Sequence, residues 1–118
     1  MKILAPAICF VVLASCAPNK SKAPESTGDR TSLDAPVPNQ AMAKKYGFKL
    51  EKIGLGHAVY MRKCGECHLH VLPDEINSRS WHVIVPGMSW NAGLSPEEED
   101  ALHDYLQAAS KEQTGKKS

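Results

Sequence analysis

Cys64-Gly65-Glu66-Cys67-His68 sets two thiols three positions apart and follows them at once with an imidazole. In a helical turn, residues three apart lie on neighbouring parts of one face, so both sulfurs can reach the same object. A redox dithiol is one reading of Cys-x-x-Cys, but such motifs open a helix in a βαβ context, and no strand-like alternation precedes Cys64. A structural zinc site wants four ligands. His57, His70 and His82 are near in sequence, yet no second Cys or His pair stands at finger-like spacing. A plain disulfide would close a ring too small to stabilise much, and it would leave His68 without a role. The pattern therefore predicts covalent attachment of one haem c. Each thiol takes one vinyl group of a single porphyrin, and His68, beside the ring centre, ligates the iron from the proximal side.

At the other end of the chain, Lys2 and the apolar residues 3–13 have the charged and hydrophobic regions of a secretory signal. The run is too short to span a bilayer as a helix. It ends Leu13-Ala14-Ser15-Cys16, which resembles the bacterial lipobox. The resemblance implies that residues 1–15 are removed and that Cys16 becomes the acylated first residue; an ordinary secreted protein with an incidental cysteine there is the alternative. Two or more acyl chains give firm attachment, at roughly 0.8 kcal/mol per buried methylene. Of the four cysteines, Cys9 leaves with the signal, Cys16 takes lipid, and Cys64 and Cys67 take haem. No disulfide is then needed in an oxidising compartment. The expected address is extracytoplasmic, lipid-anchored on the periplasmic side of a bacterial membrane. Ala17, where an aspartate often signals inner-membrane retention, leans towards the outer membrane.

The chain has 14 Lys and Arg against 13 Asp and Glu, and loss of Lys2 balances them, so nothing points to nucleic acid. Residues 16–41 form the lipidated cysteine and a linker, with Pro18, Pro24, Pro36 and Pro38 and few large apolar side chains. Such a composition cannot bury enough surface to fold, and a flexible chain of this length spans on the order of 30 Å. The folded part is expected at residues 42–110, small enough to need a disulfide, metal or cofactor as a staple. Residues 111–118 read as a frayed polar tail.

Before the motif, Gly56-His57-Ala58-Val59-Tyr60 reads as part of a short amphipathic helix that delivers Cys64. Ser95-Pro96-Glu97-Glu98 opens the last helix with an N-cap, a first-turn proline and a capping box. Ala101, Leu102, Tyr105, Leu106 and Ala109 then form one apolar stripe. Both stretches are similar to the terminal helices of c-type cytochromes. That resemblance implies an all-α fold, a small cytochrome c-like helical domain around one haem, with Gly56 and Tyr60 at a close helix crossing.

An iron held by one histidine needs a partner on its other face, and Met88 in Val85-Pro86-Gly87-Met88 is the candidate; His82 is the second choice and would give a lower potential. Residues 64–88 also resemble a group of monohaem c domains in which the motif is followed by Leu, Pro, Trp and then Met seven residues on, here Leu69, Pro73, Trp81 and Met88. Pro86 and Gly87 are expected to break a helix just before Met88 and leave it on a loop. Trp81 and Trp90 are expected to cover the porphyrin, and His57 and His103 to be surface residues. Together these features describe a membrane-anchored monohaem carrier of single electrons between redox partner proteins, with no substrate chemistry of its own, or the electron-transfer subunit of a redox enzyme. A gas-binding or sensory haem protein with an open or displaceable sixth site is the alternative.

Overall fold

A computed structural model describes residues 30–118; the expected signal peptide, Cys16 and the first part of the linker lie outside these residues. Four α-helices follow a short 3-10 turn at Ser32–Asp34: α1 Gln40–Tyr46, α2 Leu50–Lys63, α3 Trp81–Ala92 and α4 Pro96–Lys116. The domain is all-helical, with no strand among the described residues. No helix there is long and apolar enough to cross a membrane.

Local sequence explains most boundaries. The Asn39 side chain accepts from the Met42 backbone N–H at 2.9 Å to start α1, and Gly47 ends it at φ +76°, a left-handed position that glycine takes without steric cost. For α4, the Ser95 Oγ accepts from the Glu98 N–H at 3.2 Å, the Glu98 carboxylate accepts from the Ser95 N–H at 2.9 Å, and Pro96 stands at the first position. Such a capping box contributes about 1 kcal/mol. Glu97, Glu98 and Glu99 meet the positive end of the helix dipole.

The apolar stripes of α2 (Ile53, Gly56, Val59, Tyr60) and α4 (Ala101, Leu102, Tyr105, Leu106, Ala109) face each other and form the main interface of the core. Their closest approach is at Gly56. A Cβ there would collide with the Ala101 carbonyl and stand 2.6 Å from the Tyr105 Cβ. Tyr60, one turn on, packs against Tyr105 with ring centres 5.7 Å apart, and its hydroxyl donates to the Val71 carbonyl at 3.1 Å. The crossing expected at Gly56 and Tyr60 is present.

Three expectations are overturned. α3 runs unbroken through Pro86 and Gly87. Pro86 removes one backbone donor, but Trp81, Val85 and Ser89, at successive four-residue steps, bury one face of the helix, and that packing outweighs the local propensity. α4 does not stop near Ala109 but continues to Lys116. The fold also begins before residue 42. The Tyr105 hydroxyl donates to the Pro36 carbonyl at 3.1 Å, and the Gln113 amide donates to the Asp34 carbonyl at 2.9 Å. Residues expected in the linker thus lie along the end of α4 and hold it in register, while Glu112 accepts from Lys45 (3.0 Å) and Tyr46 (2.9 Å) of α1.

Asp74 clasps both chain ends of the described region. Its carboxylate, 1% exposed, takes a forked pair of hydrogen bonds from Arg30 at 2.9 Å each and an ion pair from Lys117. Burial alone would raise its pKa, but the bonds from Arg30 and Lys117 outweigh that and hold it below the ordinary carboxylate value.

Two predictions follow from the packing. Gly56→Ala should destabilise the holoprotein in urea unfolding by about 1–3 kcal/mol through overpacking. Gly54→Ala, in the same helix with nothing within 4 Å of a new Cβ, should stabilise it by roughly 0.5–1 kcal/mol; equal effects at the two positions would contradict the crossing. For the clasp, Asp74→Asn should cost about 1–2 kcal/mol at neutral pH, discounted because both cationic partners reach solvent. A depressed folded-state pKa gives a contribution that is complete above the unfolded value of about 4 and is lost as pH falls through the folded one. The stability gap between variant and parent should therefore close on acidification, and a gap constant down to about pH 2–3 would refute the linkage.

Candidate functional site

A cleft of about 600 Å3 opens beside α3, with Tyr60, Lys63, Cys64, Cys67, His68, Val71, Ile76, Trp81, Ile84, Met88, Ser89 and Leu106 among its walls. Its size falls within the range of cofactor sites, and its lining is largely apolar. Met88, twenty residues after His68 in the sequence, borders the same space as Cys64, Cys67 and His68.

Cys64 is the C-cap of α2, its N–H bonded to the Tyr60 carbonyl at 3.3 Å, and the Glu66 N–H bonds to Lys63 at 3.3 Å. The helical turn therefore continues through the motif and sets both thiols at its end. Both are free, Cys64 half-buried and Cys67 exposed. Burial pushes the Cys64 thiol up to about 11. A catalytic dithiol needs the opposite, a thiol depressed by a helix N-terminus or a nearby cation.

His68 Nδ1 lies 2.6 Å from the Leu69 carbonyl. A carbonyl can only accept, so Nδ1 carries the proton and the lone pair is left on Nε2. This is the usual device by which a backbone acceptor fixes the tautomer of a metal-binding imidazole. His70, by contrast, turns back onto the motif. Its Nε2 donates to the Tyr60 carbonyl at 3.0 Å, its ring meets that of Tyr60 edge-on at 4.9 Å, and it covers Gly65, where a Cβ would stand 2.8 Å from the imidazole Nδ1. Gly65 is thus the residue that lets His70 lock the haem-type motif against α2.

Across the cleft, α3 presents Met88, half exposed at 50%, and Ser89, 1% exposed. The Ser89 hydroxyl lies in the cleft wall with no hydrogen-bond partner among the described residues. A buried polar atom without a partner costs about 1–3 kcal/mol, so it marks a place where an incoming group with polar substituents fits. The Trp81 indole is buried and donates to the Pro73 carbonyl at 3.1 Å, tying the loop after the motif to the start of α3.

The remaining candidates fall elsewhere. His82, the second choice for the sixth ligand, borders a different groove with Trp90, Pro86 and His103, and its Nε2 is 3.0 Å from the Gln107 amide. Four-residue helical steps from Trp81 to Ser89 carry the cleft face, and His82 sits one position off it. Trp90 is 87% exposed and lies on that other groove, not over the cleft. His57 is half-buried against Tyr105 with ring centres 5.2 Å apart, and burial lowers its pKa. The sequence did not single out Ser89, and it offered His70 only as a metal ligand. Ser89 becomes legible once the helix is carried through Pro86, because it then shares the face of Trp81 and Val85; His70 carries no sequence signal of its fold-back.

Among known families, the one described as dihaem cytochrome c has a model that matches residues 60–118, half of the chain, from the last turn of α2 through α4. No curated protein and no solved structure matches the chain.

Proposed function

The chain belongs to the dihaem cytochrome c family, whose chemistry is haem-based electron transfer, and we propose that it is a lipid-anchored carrier holding one covalent haem c with His68 and Met88 as axial ligands. The family's name speaks of two haems, whereas this sequence contains one Cys-x-x-Cys-His; a single thioether-bound haem is what its own cysteines can hold. Haem, when bound, supplies a one-electron couple at its iron.

The observation that carries this reading is the convergence of both thiols, the imidazole and the thioether on one apolar cleft. Cys64 and Cys67 fix the group covalently at the end of α2. His68 offers Nε2, oriented by its bond to the Leu69 carbonyl. Met88, on α3, borders the same cleft, and a thioether ligand raises the potential relative to a second imidazole. Lys63, only loosely paired with Glu66 at 3.8 Å, offers a cation at the rim for carboxylate substituents, and Ser89 offers its unpartnered hydroxyl inside. Trp81, Ile84, Val71 and Leu106 keep water off the buried part, which limits the solvent reorganisation that accompanies a change of charge. Two protein ligands leave no open position for turnover, so the protein serves redox partner proteins rather than a small-molecule substrate.

Lipid on Cys16 would hold the domain at a bacterial membrane, with the outer membrane favoured by Ala17. Arg30, the first described residue, already bonds to Asp74 of the packed domain.

Met88→Ala should keep the covalent haem, convert a low-spin ferric spectrum with its weak far-red methionine band to high spin, and lower the potential. An unchanged spectrum would remove Met88 from the site, and rapid CO uptake by the reduced parent protein would favour the gas-binding alternative. The intact mass of the mature protein should report one haem plus acyl chains beyond the polypeptide from Cys16. Cys16→Ser should lose the acyl mass and the membrane association but keep the haem spectrum; persistent membrane attachment would refute the anchor.

A further inference from the structure

Next to the haem cleft along α3 lies a second groove of about 660 Å3, open to solvent and bordered by His82, Trp90, Glu99, Asp100 and His103. Val85 is a wall of both spaces. His82 of α3 and His103 of α4 face each other across it, ring centres 4.2 Å apart at 43°. Their Nε2 atoms converge on a single point, the Gln107 side-chain nitrogen, at 3.0 Å and 3.1 Å. An amide nitrogen only donates, one hydrogen to each ring, so both imidazoles aim an Nε2 lone pair at the same place. Behind His103, the Asp104 carboxylate lies 3.7 Å from Nδ1, beyond hydrogen-bond reach. Asp104 is itself held by Lys52 at 2.5 Å.

From this geometry we propose that His82 and His103 form a binding site for a borderline transition-metal dication of the Zn2+, Ni2+ or Cu2+ type, which enters by displacing the Gln107 amide. Two imidazoles whose Nε2 atoms converge on one point are nitrogen donors of the kind such ions take. A metal–nitrogen bond of about 2.0–2.1 Å asks each ring to close by about 1 Å from its present distance to the amide. His82 is exposed and stands at the groove wall, free to make that adjustment. No third His, Cys, Asp or Glu joins the pair among the described residues, so solvent completes the coordination. The Glu99 carboxylate on the groove wall favours entry of a cation, while that of Asp100 is already paired with Lys52 at 2.6 Å. Burial, with a smaller push from His82, keeps the His103 pKa below the ordinary value, so the ring is in its neutral, ligating form near neutral pH. A bound ion would link α3, the helix that carries Met88, to α4.

The site is independent of the haem assignment, and its test uses the untagged, haem-loaded protein titrated with Zn2+ and, separately, Cu2+. One equivalent should bind and raise the melting temperature, and the Cu2+ electron paramagnetic resonance spectrum should show coupling to two nitrogens. His82→Ala and His103→Ala should each weaken binding at least tenfold, with the haem spectrum and helical circular dichroism of each variant verifying its fold. Gln107→His, which places a third imidazole at the point of convergence, should tighten binding at least tenfold. Equal affinity in the parent and the His82→Ala variant, or no stoichiometric binding by the parent and no gain from Gln107→His, would overturn the proposal.

Discussion

Everything in this small domain hangs on the contact between α2 and α4 at Gly56, where one backbone lies directly on another with no side chain between. That approach lets Tyr60 and Tyr105 pack together beside it, and it fixes the direction in which α2 ends. The two cysteines sit at that end, so the orientation of the motif is inherited from a packing contact two turns away. A bulkier residue at the crossing would move the sulfurs relative to α3, and with them the shape of the cleft.

The cleft is also the place where the core is incomplete. Val59, Ile53, Leu102 and Ala109 close one side of the α2–α4 interface, but towards α3 the apolar walls enclose about 600 Å3 instead of packing on each other. A fold of this size buries a modest fraction of its surface, and a bound group that fills such a space supplies contacts that the polypeptide lacks. The unpartnered Ser89 hydroxyl in the same wall belongs to the same pattern. A group that filled the cleft would complete the core, a gain that matters most in so small a domain.

Charge does its structural work at the chain ends. Asp74, buried between Arg30 and Lys117, holds the segment leading into the domain and the last turn of α4 against the loop that follows the motif. The loop is further tied by Trp81 to Pro73 and by Tyr60 to Val71. The loop between His68 and α3 has almost no regular structure, so these side-chain bonds to its carbonyls replace the backbone ladder that would otherwise order it.

Periodicity and capping chemistry are local properties, and they made the stripe of α4 and its start at Ser95 legible in the residues alone, as spacing did the haem-type motif; the glycine crossing was legible only through the resemblance of its helix to those of c-type cytochromes. Wherever a distant partner decides the outcome, the sequence misleads. Pro86 and Gly87 disfavour a helix by their own chemistry, yet α3 persists because Trp81, Val85 and Ser89 bury one face of it. Residues 111–116 look like a polar tail until the Gln113 amide is seen to bond to Asp34, and Glu112 to Lys45 and Tyr46. His82 reads as a neighbour of Met88, six positions away, but six steps along α3 leave the two about a third of a turn apart, one facing the cleft and the other Gln107. The linear order of residues specified what chemistry the chain can hold; which side chains share a space was decided only by how the helices pack, because a helix turns its neighbours in sequence towards different faces.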